Sequence, residues 1–322
     1  MNREQYAAML KDISETHKAG GDTAACIAKY NERYKFMYIY NDNVFKILFG
    51  SPENEKITID FLNAVLGFIG SDCINNLAYI NPALPDAFGK SITSDIVATD
   101  QRLDRIVLEV QHIEDDSYNA RLVLYTAKHT IASRIKGEDY ALQNLNLISL
   151  QMFDGFPNSP NYRHSIRFKN QENEEFYDKQ TITLVEIPKF LKGNFATDNS
   201  RIAQWLRVID GLNNETPVAV PEGSPFALLQ EKAQLSIFTE EFLVSEAMKM
   251  SDHKYELYVE KKHARKEGLE EGRAKGLTEG ADAKAREMAA AMLADGDSVE
   301  KVVRISKLPE SDVLAIKAGL QK

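Results

Sequence analysis

Cysteine is almost missing from this chain: Cys26 and Cys73 are the only two in 322 residues, and they form no metal-ligand pair. A disulfide framework and a cysteine-held zinc are thereby excluded, and a reducing cytoplasm is the expected home. Long apolar runs are lacking as well. No stretch reaches the roughly 18 residues that a membrane span needs, and Met1-Asn2-Arg3-Glu4-Gln5 has no apolar signal core. A cytosolic, unanchored protein with no membrane partner is the expectation. Positive charge is scarce: 39 Lys and Arg stand against 48 Asp and Glu, a net charge of -9. General polyanion binding is disfavoured, so any nucleic-acid contact needs a local basic surface. The six His residues make no metal spacing, and no Walker loop, dinucleotide-binding glycine turn or H-E-x-x-H motif occurs.

What is present is ordinary in bulk and informative in order. With 43% apolar and 27% charged residues, the chain accommodates one domain of up to about 200 residues plus an appendage, or two domains. A helix is predicted from Glu4 to about Lys18, broken by Gly20-Gly21 and followed by a tyrosine-rich approach, Tyr34 to Tyr40. Val44, Phe45, Leu48 and Phe49, then Ile57, Ile59, Phe61, Leu62, Val65 and Leu66, predict two helices split by Gly50-Ser51-Pro52. Leu77–Ile80 reads as a first strand. Ser91–Thr99 and Arg105–His112 read as a hairpin closed by Asp100-Gln101-Arg102-Leu103-Asp104. Ser117–Ile135 carries a helical stripe that stops at Gly137.

Three more strands follow. Leu145–Phe153 is almost wholly apolar, as a central strand covered on both faces would be. Tyr162–Phe168 alternates strictly and is predicted to be half-buried, and Thr181–Ile187 precedes Pro188. This order describes a mixed α/β layer, not a doubly wound fold. Beyond Thr197 the pattern is helical: Ser200–Leu212, Pro225–Met250 and a long charged segment from about Asp252 to Leu293.

The hairpin carries the chemistry. Glu109 and Gln111 lie two residues apart on one strand, so both leave the same face, roughly 7 Å apart. If Asp100 pairs with Asp104 around a three-residue loop, Asp95 falls opposite Glu109, about 5 Å away. A one-residue slip would send the two carboxylates to opposite faces. Like charges facing each other destabilise a sheet, and a hard cation with oxygen ligands neutralises them. A solvated acidic hairpin face is the alternative that spacing alone leaves open.

Asp42-Asn43-Val44-Phe45-Lys46-Ile47-Leu48-Phe49-Gly50, Phe61-Leu62-Asn63-Ala64-Val65-Leu66, Asp95 and Glu109-Val110-Gln111 together resemble the PD-(D/E)XK nuclease family transposases, also called recombination-promoting nucleases. Arg121-Leu122-Val123-Leu124-Tyr125, the Gly137–Tyr140 turn, Leu184-Val185-Glu186-Ile187-Pro188-Lys189-Phe190 and the Glu-Gly-rich tail extend the resemblance over about residues 40–322. It implies an α/β, restriction-endonuclease-like mixed sheet flanked by helices, with a helical C-terminal extension. It also implies metal-dependent endonucleolytic cleavage of double-stranded DNA, linked to recombination or a mobile element. Asp95 and Glu109 would hold Mg²⁺, with Mn²⁺ as a substitute, and Gln111 takes the place that the wider superfamily gives to Lys. Gln111 can orient water or phosphate only by hydrogen bonds, so slower turnover than with Lys is expected; a polar sheet residue is its plain alternative.

Asp42 is a weaker third ligand, and an N-terminal helix cap suits it at least as well. Lys46 is expected to stay solvated, with a phosphate as its other partner. Arg121 and Lys128, seven apart with Tyr125 between them, form one helix face for sequence-blind DNA contact or simple solvation. Arg163, Arg167 and Lys169 make a second strip. His112 is expected to point away from the Glu109 face, and His129 to be packing or surface. The rival reading is a catalytically degenerate nuclease fold that binds DNA or protein; an RNase on the same scaffold is another.

The expected organisation is an N-terminal extension (1–40), a nuclease-like core (41–197), a helical subdomain (198–250) and a charged helix with a two-helix tail (251–322). Gly268, Gly272, Gly276 and Gly280 recur every four residues and would cost about 4 kcal/mol in a continuous helix, which suggests close packing against another helix or mere repeat drift. Asp297 and Glu300 read as a capping box for the helix after Gly296. Packing or self-association, a homo-oligomer through these C-terminal helices, is expected ahead of DNA reading there.

Overall fold

The computed structural model describes residues 1–84, 92–114, 117–135, 140–193, 195–250 and 253–320. It divides into two compact units, Met1–Ala247 and Met248–Lys322. Ser91, the Gly137 stop and most of the Gly137–Tyr140 turn lie outside the described residues.

The first unit opens with two helices, α1 (Arg3–Lys18) and α2 (Thr23–Arg33), separated at Gly20-Gly21. The second of these carries only two buried residues, Thr23 and Ile27, which is why its sequence shows little apolar stripe. Tyr34 and residues 36–40 are buried, and Lys35 between them is exposed. Glu215 accepts from the Lys35 and Phe36 N–H groups, Asn213 accepts from Ile39 N, and Met37 N donates to Ala233 O. This tyrosine-rich segment is therefore a threaded core strip, not a linker.

Next come α3 (Asp42–Gly50) and α4 (Glu55–Leu66), split as the glycine-proline break predicts. The strands β1 (Leu77–Ile80), β2 (Ala83–Leu84), β3 (Ile92–Thr93), β4 (Ile96–Asp100) and β5 (Arg105–Gln111) follow. Then α5 (Tyr118–Ala132) leads to β6 (Leu145–Gln151), β7 (Arg163–Lys169) and β8 (Glu175–Glu186). The main sheet has the order β1-β4-β5-β6-β8-β7, and β2 pairs only with β3. The pairs β5–β6 and β6–β8 are parallel and the rest antiparallel. A mixed sheet with flanking helices is what the pattern of elements predicts. Leu145, Leu147, Ile148 and Leu150 of β6 are buried between two parallel neighbours, in line with that strand's continuous apolar run.

One strand departs from its pattern. The alternation of Tyr162–Phe168 predicts half-burial, yet Ile166 and Phe168 are 41% and 51% exposed. The reason is topological: β7 is the edge strand, and its last two residues, Phe168 and Lys169, pair with a part of β8 that extends beyond the reach of β6.

The remaining helices of this unit are α6 (Ile187–Lys192), α7 (Arg201–Asn213), α8 (Pro225–Lys232) and α9 (Glu240–Met250). Trp205 on α7 is fully buried and meets Phe61 edge-on at 5.6 Å and Phe226 at 4.7 Å. Phe49 stacks on Phe45 at 4.4 Å and leans on Phe61 at 4.9 Å. Trp205 Nε1 and the Arg201 guanidinium both donate to Asp60, which ties α7 to α4. This aromatic cluster fixes α3 in place.

The second unit consists of α10 (His253–Ala294), α11 (Val299–Ser306) and α12 (Glu310–Leu320) around Ala289, Val302, Leu308 and Val313. Nothing lies within 4 Å of a Cβ built at Gly268, Gly272, Gly276 or Gly280, so no close-packed partner meets that stripe among the described residues. The cap of α11 is Ser298, whose side chain accepts from Lys301 N, and not Asp297. Asp297 instead pairs with the Lys301 ammonium at 2.7 Å. Among the described residues, no helix is long and apolar enough to cross a membrane.

The β4–β5 turn sets the register of the site. Asp100 Oδ1 accepts from Arg102 N at 2.8 Å and Asp104 N at 2.9 Å, and its other oxygen binds the Arg102 guanidinium. Leu103 takes the left-handed backbone (φ 65°) that closes the three-residue loop. Replacing Asp100 by Ala removes a charged acceptor from two buried or half-buried amides. It is expected to cost about 2–3 kcal/mol in urea unfolding; an unchanged midpoint would show that the turn holds without it.

Candidate active site

One step beyond the last ladder pair, Ile96–Leu108, Asp95 stands opposite Glu109, as the three-residue loop predicts. Asp95 Oδ2 accepts from Val110 N at 2.8 Å, which holds the carboxylate against β5. Its Oδ1 is paired with the Lys46 ammonium at 3.0 Å. Lys46 is thus not the solvated surface residue expected of it. The correction has a geometric cause: Lys46 and Gly50 are one turn apart on α3, and a Cβ at Gly50 would meet Ile96 Cγ1 at 3.3 Å. A glycine lets α3 lie close on β4, and Lys46 then reaches the adjacent Asp95.

Burial is the main influence on both acids. It pushes the Asp95 carboxyl above its ordinary range, against the pull of Val110 N–H and Lys46. Burial and the charge of Asp95 push Glu109 up to about 8, while the Ser94 hydroxyl, the Asp95 backbone N–H and Lys46 pull the other way. Two carboxyl groups side by side in a poorly solvated place cannot both ionise cheaply. Glu109 Oε1 is buried and has no hydrogen-bond partner among the described residues.

Asp42 and Gln111 are placed differently from the pair. The cap of α3 is Asn41, whose side chain accepts from Asn43 N and Val44 N. Asp42 follows it, 56% exposed, with Oδ1 3.5 Å from His112 Nε2. His112 Nε2 also lies 2.6 Å from Tyr40 O. Gln111 shares the Glu109 face, but its amide donates to Ile113 O at 2.8 Å. Among the described residues, no three Asp, Glu, His or Cys side chains gather as a metal-binding group. The cluster is therefore a pair of carboxylates. That fits a divalent cation of the magnesium kind, which takes one or two carboxylates and fills its remaining positions with water and phosphate oxygens. The unpartnered Glu109 oxygen beside Asp95 is the observation that supports the fit.

On α5, Arg121 lies with its guanidinium 6.0 Å from the Tyr118 ring centroid, and both it and Lys128 are half-buried on the flank next to Tyr125. The outward face of the helix is instead apolar, with Val123, Leu124 and Ile131 exposed. Of the second basic strip, Arg163 donates to Leu66 O at 2.8 Å and Arg167 pairs with Glu175 at 3.4 Å.

A buried polar chain escaped the sequence reading. Arg105 donates from NH1 to His129 Nδ1 at 3.3 Å, and His129 Nε2 lies 3.0 Å from Ser94 Oγ. An arginine only donates, so Nδ1 is the acceptor and the proton sits on Nε2, which donates to Ser94 Oγ. The Ser94 hydroxyl is then free to donate toward Glu109. His129 is fully buried, as the packing alternative expects, and the polar partners on both ring nitrogens are what that expectation left out. Only its position one turn beyond Tyr125, on the helix face toward β5, hinted at the contact. Nearer the sheet centre, Gln151 Nε2 donates to Tyr118 OH, which bonds Ser149 Oγ, in the strand rows beside Gln111 and Glu109.

A mixed sheet with two acids converging at adjoining strands, beside a lysine from the first helix of the core, defines a nuclease-type α/β fold. A family model described as PD-(D/E)XK nuclease family transposase matches residues 39–271, and the chain belongs to that family. The family is one of nucleases linked to mobile elements. No curated protein and no solved structure matches the chain.

The histidine chain yields a pH prediction. Burial and the neighbouring Arg105 charge hold His129 down at about 4, against 6.5 for the free side chain. Between those values the unfolded chain binds the extra proton, so His129 makes stability fall as the pH drops from about 6.5 to about 4. Asp95 and Glu109, with raised values, act in the opposite sense as pH rises. The difference between wild type and His129→Gln in urea unfolding isolates the histidine: the variant is expected to lose less stability across that interval. Parallel curves would contradict the buried neutral state.

Proposed function

We propose that this chain is a divalent-metal-dependent endonuclease acting on double-stranded DNA, with Asp95 and Glu109 as the metal-holding pair. The single observation that carries the reading is the opposition of these two carboxylates on neighbouring chain segments, one of them with a buried oxygen that no other group among the described residues satisfies. When bound there, a divalent ion supplies Lewis acidity at a phosphate oxygen and makes water a better nucleophile near neutral pH.

The protein side of the reaction follows from the residues. Asp95, fixed by Val110 N–H, presents Oδ1 to the cation once Lys46 lets go. Glu109 gives up the proton that burial encourages it to keep, and its ionised oxygen supplies the second ligand. The Ser94 hydroxyl, oriented by His129, steadies the rest of that carboxylate. Gln111, released from Ile113 O, orients water or phosphate by hydrogen bonding. Hydrolysis forms one phosphorus–oxygen bond from water and breaks one to the sugar, and the departing oxygen takes up a proton. Mg²⁺ is the assigned ion, with Mn²⁺ as a substitute, and the two carboxylates hold it without Asp42.

Incubation of the full chain with supercoiled plasmid tests this reading. Nicking is expected with Mg²⁺ and none with EDTA, and Asp95→Asn is expected to lower the rate by at least roughly a hundredfold. Equal nicking by wild type and variant, or nicking unaffected by EDTA, would remove the assignment.

A further inference from the structure

We infer that Lys46, carried on α3, is the catalytic cation of this site, acting on the reacting phosphate in the place of the lysine that this chain lacks at Gln111. The inference rests on the nuclease reading above and gives Lys46 a role there beyond releasing Asp95.

Three observations converge on it. The wider PD-(D/E)XK motif ends in a lysine, whereas the chain has Glu109-Val110-Gln111. Gln111 is uncharged and its amide is tied to a backbone carbonyl two residues on, so the strand itself supplies no cation. The positive charge enters from another element: Lys46 Nζ lies 3.0 Å from Asp95 Oδ1. Its side chain is 36% exposed while that of Asp95 is only 13% exposed, so the ammonium occupies the solvent side of the acid, where a substrate must arrive.

The placement is built into the fold. Val44, Phe45, Leu48 and Phe49 bury the inner side of α3, and Gly50 allows the close approach to Ile96. Lys46, one turn before Gly50, reaches Asp95 from there. The arginines of the β4–β5 hairpin are committed elsewhere: Arg102 to Asp100, and Arg105 to His129.

The chemistry suits a lysine on a flexible stem. Without metal, the ammonium offsets the Asp95 charge. With a divalent ion held by the two carboxylates, the ammonium would leave Asp95 and take a non-bridging phosphate oxygen as its new partner. Lys46 stays protonated throughout and makes no covalent bond. It stabilises the negative charge that builds on the phosphate oxygens as water attacks.

The test is a charge relocation. In single-turnover plasmid nicking with Mg²⁺, Lys46→Gln is expected to lower the rate at saturating DNA by roughly a hundredfold. Adding Gln111→Lys to that variant is expected to recover at least tenfold, because the cation is restored from the strand. Calorimetric titration with Mn²⁺ alone provides a readout independent of cleavage: Lys46→Gln is expected to bind the ion severalfold more tightly, since the ammonium no longer competes for Asp95. Full activity in Lys46→Gln beside an active wild type would overturn the assignment and leave the nuclease reading standing. So would weaker DNA binding with an unchanged saturating rate, no recovery in the double variant, or weaker Mn²⁺ binding. A wild type that never cleaves DNA defeats the nuclease reading itself, and the assignment falls with it.

Discussion

Two carboxylates face each other across β4 and β5 only because the intervening turn is closed at three residues, and Asp100 does the closing. The constraint is geometric before it is chemical. A slip of one residue would send Asp95 to the face that carries the buried Ile96 and Ala98. With the register held, two buried acids share a small volume, and both are pushed toward their neutral forms. A Val110 amide and the Lys46 ammonium offset part of that cost. The cation proposed for this site would relieve that state.

The rest of the first unit serves this arrangement. The aromatic cluster of Phe49, Phe61, Trp205 and Phe226 locks α3 and α4 to α7 and α8. Through Gly50 this locking reaches β4 and sets Lys46 over Asp95. On the opposite face, α5 covers β5 and β6 with Tyr118 and Leu122 packed on Val107 and Leu147. Its buried His129 links Arg105 to Ser94 and so couples the base of β5 to the neighbourhood of Glu109. Structural anchors thus touch both carboxylates from either side of the sheet.

Much of this was legible in the sequence, for reasons that differ by residue. Elements with strong periodicity and clear punctuation were readable: α3 and α4 around Gly50-Ser51-Pro52, the apolar β6, and the hairpin with its polar loop. The facing of Asp95 and Glu109 followed from counting across that loop. What eluded the sequence depends on partners distant along the chain. α2 buries too few residues to announce itself, and residues 34–40 bury their tyrosines against segments near Asn213 and Ala233. The exposure of Phe168 could not be inferred because alternation records which face is apolar, and only topology decides whether anything covers it. The contact between Lys46 and Asp95 was hidden for the same reason, since nothing local to either residue reports the approach of α3 to β4. His129 was hidden because a single histidine on a helix carries no spacing signal.

The central claim is that Asp95 and Glu109 jointly grip a divalent ion. Anomalous diffraction from crystals of the protein grown with Mn²⁺ tests it most directly. The account predicts one strong peak between the two carboxyl groups, with Lys46 withdrawn from Asp95. A peak elsewhere, or Mn²⁺-saturated crystals in which Lys46 still holds Asp95 and no density lies between the acids, would contradict it.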